Sequence, residues 1–216
     1  LQAIDGATGG PVEEGSVGAG TGMSAFGHKG GIGTASRMTP EALGGWTVGV
    51  LVLANFGRLE QLRIDGVPVG AALAGNGEDV AERGSIMIVV ATSAPLLDRG
   101  LRRIARRAGI GLARTGSIAG HGSGDYVIAF SASELTRIAH EPASLTHQLE
   151  IVVEAGQAID ALFRATVEAT EEAIVNALFR ATTMTGRDGN TRKALPLDRV
   201  QAIMRRAGRL NDPRVE

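Results

Sequence analysis

The residues of this 216-residue chain that could do chemistry converge on one junction, Gly84-Ser85. A serine stands there at the end of a polar, turn-rich stretch. It is also the first residue of the apolar run Ser85-Ile-Met-Ile-Val-Val-Ala91. Its hydroxyl would sit on rigid strand backbone, and the glycine before it has no Cβ to shield its own carbonyl from attack. Cleavage of that peptide bond would give Ser85 a free α-amino group, with an ordinary pKa of roughly 7.7–8.0. Such an amine can act as the base that activates its own hydroxyl. The same dipeptide also reads as a plain turn before a strand, and spacing alone does not separate the two readings.

Other chemistries fit less well. Cysteine is absent, which excludes disulfides, thiolate zinc sites and a cysteine nucleophile. His28, His121, His140 and His147 are scattered without metal-ligand spacing. His121 lies near the proposed site, where a structural role is expected. The glycine-rich run Gly18–Arg37 invites a phosphate-loop reading but lacks the pattern. Lys29 is followed by Gly30 rather than Ser or Thr, and no strand and helix flank the run. It is expected to be a compact, turn-rich connection beside a sheet. No cofactor and no metal are expected. With 22 Lys+Arg against 23 Asp+Glu, the chain lacks the basic excess of a nucleic-acid binder.

These groups need elements to position them. Glycine is unusually abundant, at 31 residues, and aromatics make up only 3%. The core must therefore be filled by Val, Ile, Leu and Ala, with backbone pressed close to backbone. Residues 46–56 read as a buried strand, residues 58–84 as an exposed loop, and residues 85–91 as a central strand covered on both faces. An amphipathic helix is predicted over residues 94–108, with Pro95 in its first turn and Gly109 stopping it. Its Arg99, Arg102, Arg103, Arg106 and Arg107 form a solvated face or a subunit contact. A strand follows over 124–131, and mostly helix from 145 to 181, with Gly156 as a break. The last helix is expected to start with Asp198 as its cap and end before Gly208. No apolar run approaches the roughly 18 residues of a spanning helix, and no membrane partner is expected. The alternation of strands and helices suggests a layered α/β or α+β domain.

The chain resembles the D-stereospecific aminopeptidase and β-peptidyl aminopeptidase family, self-processing hydrolases of the N-terminal-nucleophile type. The likeness rests on Gly18-Ala-Gly-Thr-Gly22 with Lys29-Gly-Gly-Ile-Gly-Thr-Ala-Ser-Arg37, on Val50-Leu-Val-Leu-Ala-Asn-Phe-Gly57, and on Gly84-Ser-Ile-Met-Ile-Val-Val-Ala-Thr-Ser-Ala-Pro-Leu-Leu97. It continues through Ser117-Ile-Ala-Gly-His-Gly-Ser-Gly-Asp125, Thr183-Met-Thr-Gly-Arg-Asp-Gly-Asn190 and Ala194-Leu-Pro-Leu-Asp198.

The resemblance implies an α+β fold, a four-layer αββα sandwich built as a single domain from one self-cleaved precursor. Residues 1–84 would be the C-terminal part of the small chain. Residues 85–216 would be the larger chain beginning with the nucleophile. Ser85 matches the nucleophile, Asn55 the amide that faces the oxyanion, and Ser123 and Asp125 the Ser-x-acid pair behind the nucleophile. Without the resemblance, Asn55 and Asp125 read as turn residues. The family's acid is a glutamate, so Asp125 is one methylene short. The family's oxyanion tyrosine lies in a segment preceding these blocks, and Tyr126 does not occupy that place, so an N-terminal segment is expected to be missing here. The implied activity is that of a cytoplasmic serine aminopeptidase or amidase. It would act on short peptides, amides or esters with a free amino end, as a homo-oligomer of processed pairs. Two rivals stand beside it. One is an endo-acting oligoamide hydrolase of the same fold, which uses a threonine nucleophile. The other is a non-catalytic relative that only assembles.

Overall fold

The computed structural model describes residues 2–74 and 84–210. After a single helical turn α1 (Gln2–Asp5), a tight hairpin pairs β1 (Ser24–Ala25) with β2 (His28–Lys29). The main sheet follows, with strands β3 (Gly31–Met38), β4 (Thr47–Asn55), β5 (Ser85–Thr92) and β6 (Tyr126–Ser131) in that spatial order. The first two contacts are antiparallel and β6 runs parallel to β5. The parallel step needs a crossover, which α3 (Asp98–Arg114) supplies. A short helix α2 (Val69–Ala74) precedes β5. The long α4 (Gln157–Phe179) and the final α5 (Leu197–Arg206) complete the helices.

Alternation along the strands sends one set of side chains to the helices. Val48, Val50, Val52 and Ala54 of β4 and Ile86, Ile88 and Val90 of β5 are buried there. They meet Ile104, Ala108 and Leu112 of α3 and Ile159, Leu162, Ala169, Ala173 and Ala177 of α4. The other face carries Leu51, Leu53, Met87, Tyr126, Ile128 and Phe130, which are half-buried or exposed. So β5 is central as expected, but the described residues cover only one of its faces. Of four expected layers, they build one sheet and one helical layer.

Several local expectations need correction. The strand β3 lies inside the stretch expected to be turns. Its glycines hide it, because they pack where side chains would ordinarily reveal the pattern. Residues 58–74 are not an exposed loop, since Leu62, Ile64, Val69 and Leu73 are buried. The rest of that loop, residues 75–83, lies outside the described residues. Helix α3 runs through Gly109 to Arg114, because Gly109 faces open space while Gly111 lets the helix settle on α4 at the Val167 carbonyl. Helix α4 begins only at Gln157, after Gly156 at φ 80°. Asp198 sits in the first turn of α5, with Pro196 at the cap.

The helical arginines are largely engaged. Arg99 and Arg103 pair with Glu154, Arg102 with Asp98, and Arg103 and Arg107 lie over the Phe163 ring. No helix among the described residues is long and apolar enough to cross a membrane.

The glycine–alanine composition has its physical use where α4 crosses β3. A Cβ on Gly33 would overlap the Ala173 carbonyl and stand 2.5 Å from the Ala177 nitrogen. Both are backbone atoms, so no rotamer change relieves the clash. Gly33→Ala should cost about 3 kcal/mol, the upper end for overpacking, and lower Tm by roughly 6–12 °C. Gly49→Ala, on the open face with nothing within 4 Å, is the control and should leave Tm nearly unchanged. Equal Tm values for the two variants in a thermal melt would contradict the close crossing.

Candidate active site

The antiparallel register of β4 on β5 pairs Asn55, the last residue of one strand, with Ser85, the first of the next. Both side chains stand on the open face. Gly84, just before Ser85, has φ +144°, and a Cβ there would overlap the Asn55 carbonyl oxygen. Glycine is thus required at this junction by conformation and by contact.

The Asn55 carboxamide has a fixed orientation. Its Oδ1 accepts a hydrogen bond from the Ser24 N–H at 3.0 Å. A backbone N–H can only donate, so the oxygen must face Ser24, and the two hydrogens of Nδ2 point elsewhere. Nδ2 lies 3.0 Å from the Cβ position of Gly84. A hydrogen-bond donor therefore stands beside the residue whose carbonyl precedes the Ser85 nitrogen.

The segment before β6 holds Ser85 from the other side. The Gly124 N–H donates to Ser85 Oγ at 2.8 Å. Asp125 Oδ1 accepts from the Ser123 hydroxyl at 2.6 Å and from the Ile86 N–H at 3.1 Å. The carboxylate thus grips the main chain one residue after the serine, and its link to Ser85 runs through the backbone. Ser123 touches Asp125 rather than the Ser85 hydroxyl. The Tyr126 ring borders the same small space: a Cβ on Gly124 would lie 3.5 Å from Ser85 Oγ and 3.9 Å from the Tyr126 hydroxyl.

All five residues singled out from the sequence therefore fall within one end of the sheet: Asn55, Gly84, Ser85, Ser123 and Asp125. His121 is exposed nearby. His28 lies in β2 and is half-buried, and burial lowers its pKa. Sequence reasoning missed three contributors. Two are main-chain N–H groups, of Gly124 and Ser24, which carry no side-chain signal. The third is Lys29, whose ammonium is buried against main-chain carbonyls rather than offered to a phosphate. Chemically, the site combines a fixed hydroxyl, an aimed amide donor and a carboxylate–hydroxyl pair. That set suits acyl transfer at a serine.

Comparison with known proteins gives a family and a fold. The model of peptidase family S58 matches residues 1–192. A β-peptidyl aminopeptidase of Sphingosinicella xenopeptidilytica is 42% identical over 218 residues, covering 94% of this chain and 53% of its own. A crystal structure of a Pyrococcus horikoshii protein superposes with a TM-score of 0.83 at 50% identity, covering 93% of this chain and 54% of that one. The L-aminopeptidase D-Ala-esterase/amidase of Ochrobactrum anthropi, described as a variant of the Ntn hydrolase fold, gives a TM-score of 0.86 at 38% identity. Here 97% of this chain and 57% of that one are covered. The chain spans about half the length of these relatives. Its fold is of the Ntn-hydrolase type.

Proposed function

This chain belongs to peptidase family S58, and from that premise we propose that it forms a self-processing serine aminopeptidase or amidase. The observation that carries the reading is the pairing of Ser85 with Asn55, whose Nδ2 stands beside Gly84. In the first event, Ser85 Oγ attacks the Gly84 carbonyl. The C–N bond breaks as the C–O ester forms, and the Ser85 nitrogen takes up the hydroxyl proton. Water then hydrolyses the ester, leaving a carboxylate on Gly84 and a free amine on Ser85. The cut separates the residues up to Gly84 from those that begin at Ser85, and the two parts stay together in one domain.

Turnover reuses the same atoms. The neutral α-amine accepts the Ser85 hydroxyl proton as Oγ attacks a substrate carbonyl. Asn55 Nδ2 donates to the developing oxyanion, and the proton passes to the leaving amine. Water resolves the acyl-enzyme. Ser123 and Asp125 fix the start of β5, and so the position of that amine. Substrates are short peptides, amides or esters with a free amino end. The processed pairs work as a cytoplasmic homo-oligomer. The activities for which the Sphingosinicella and Ochrobactrum relatives are named support this substrate class, and a serine rather than a threonine at position 85 supports it over the endo-acting rival.

Purified protein should contain a fragment whose N-terminal sequence is Ser-Ile-Met-Ile, and Ser85→Ala should stay uncut on a denaturing gel. An uncut chain with full activity would end the self-processing reading. In already cut protein, Asn55→Ala should lower kcat by roughly 10²–10³ with a smaller change in KM. An unchanged kcat would return Asn55 to the role of a turn residue.

The pH profile tests the amine. Only its neutral form can take the hydroxyl proton, so kcat/KM should rise with pH through one group between about 6 and 8. A nearby carboxylate favours the ammonium and raises the amine's pKa, so its removal acts in the opposite sense. Asp125→Asn should therefore move the rising limb to lower pH and reduce the plateau, while Asp125→Glu should keep most activity. A profile and rate unchanged in Asp125→Asn would make the Ser123–Asp125 pair purely structural.

A further inference from the structure

Among the described residues, Lys29 is the one charged side chain that is fully buried, at 1% exposure. It stands in the hairpin that touches the site. Residues Phe26 and Gly27, at φ 49° and 74°, form its two-residue turn, the backbone pattern of a tight hairpin turn. Phe26 packs edge-on against Phe56, with ring centres 5.0 Å apart, and its N–H donates to the Phe56 carbonyl at 2.8 Å. The hairpin is thereby fastened to the residue after Asn55.

The ammonium has three acceptors: the carbonyls of Gly20 at 2.6 Å, Gly30 at 2.8 Å and Met23 at 2.9 Å. A carbonyl has no proton to give, so three such contacts need three N–H groups, and Lys29 is the charged form. It pairs with no carboxylate among the described residues, so its charge is answered only by these dipoles.

One of the three carbonyls leads to the site. The Met23 carbonyl accepts from Lys29 and from the Gly30 N–H at 3.1 Å. The N–H of that same peptide unit belongs to Ser24 and donates to Asn55 Oδ1. Ser24 and Lys29 are register partners, and the hairpin ladder closes through Met23 and Gly30, so the Ser24 N–H is free to point outward at Asn55. A cation on the oxygen of an amide draws electron density from its nitrogen and strengthens the N–H as a donor. Hydrogen bonds in a chain reinforce each other in this way, most of all where water is excluded.

We infer that Lys29 is a positioning residue for the oxyanion donor. It acts through the Met23–Ser24 peptide to hold and polarise the Asn55 carboxamide. The inference rests on the reading of Asn55 given above. The charge never meets the substrate; it makes Nδ2 of Asn55 a better donor at the moment the carbonyl oxygen becomes negative. It also gives the lysine in this glycine-rich run a role that a phosphate loop does not.

A double-mutant cycle tests this on full-length protein. The readout is the first-order rate of cleavage at Gly84–Ser85 in pulse-labelled, freshly translated chain, which needs no choice of substrate. Lys29→Met should slow cleavage by about 10–100-fold, less than Asn55→Ala, because it weakens the donor without deleting it. In the Asn55→Ala background the same substitution should change the rate by less than about 2-fold. Equal losses in both backgrounds would overturn the proposal, since Lys29 would then act independently of Asn55.

Ser24→Pro is the second variant, needed if Lys29→Met does not fold. It removes the N–H that reaches Asn55 and leaves Lys29 in place. Met23, at φ −86° and ψ 147°, already has the backbone a residue before proline adopts. It should show the same slow cleavage and the same loss of effect without Asn55, and wild-type cleavage by Ser24→Pro would overturn the proposal. Normal cleavage by Asn55→Ala alone would instead refute the role given to Asn55. In the cut fraction of Lys29→Met, kcat on the p-nitroanilides of L-alanine, D-alanine and β-alanine should fall while KM holds. A raised KM with unchanged kcat would contradict the assignment.

Discussion

The register that sets Asn55 opposite Ser85 is the contact on which the rest of the site depends. Antiparallel pairing fixes the two strand ends to within a residue, and a one-residue slip would turn both side chains to the other face of the sheet. Eight successive partners from Val48–Thr92 to Asn55–Ser85 hold that register. Buried Val, Ile and Ala on one face reinforce it, because a slip would expose them. The Ser85 hydroxyl and the Asn55 amide are therefore placed by the sheet itself, and loops need only orient them.

Two loops do so from opposite sides. The segment ahead of β6 supplies the Gly124 N–H to the hydroxyl and the Asp125 carboxylate to the chain beyond it. The parallel run of β6 beside β5 brings that segment to the start of β5. On the other flank, the hairpin of β1 and β2 supplies the Ser24 N–H to Asn55. Most of these contacts involve a main-chain group whose position is set by hydrogen bonding nearby. A site built this way has little freedom to relax, and fixed dipoles aimed at a forming charge are what the proposed acyl transfer requires. The same rigidity explains the glycines. Gly84 lets Asn55 approach the junction, and Gly33 lets α4 lie directly on β3.

The sequence carried much of this in its apolar runs and its blocks of family likeness. The strands β4, β5 and β6 were legible because Val, Ile and Leu crowd them, and α3 was legible from its apolar stripe. Strand β3 was not, because Gly31 packs on the Gly15 backbone and Gly33 on α4, which leaves no alternation to read. The buried segment around Leu62 and Val69 was hidden by polar neighbours. Within the site, Ser85 stood out by its place at a loop–strand border. Asn55, Ser123 and Asp125 needed the likeness, since Asn55 and Asp125 alone read as turn residues and Ser123 lies in a glycine-rich bend. The Ser24 and Gly124 donors belong to no side chain, and the buried ammonium of Lys29 appears only once the hairpin has closed around it.

Covalent capture at Ser85 is the most direct test of the proposed nucleophile. A sulfonyl fluoride that carries a primary amine, as the proposed substrates do, would be incubated with processed protein and its adduct mapped by mass spectrometry. One adduct is expected per processed pair, on the Ser85 hydroxyl of the fragment that begins Ser-Ile-Met-Ile. Activity should be lost in step with labelling, and Ser85→Ala should take up no label. Loss of activity with the adduct on any other residue, or with Ser85 unmodified, would contradict it.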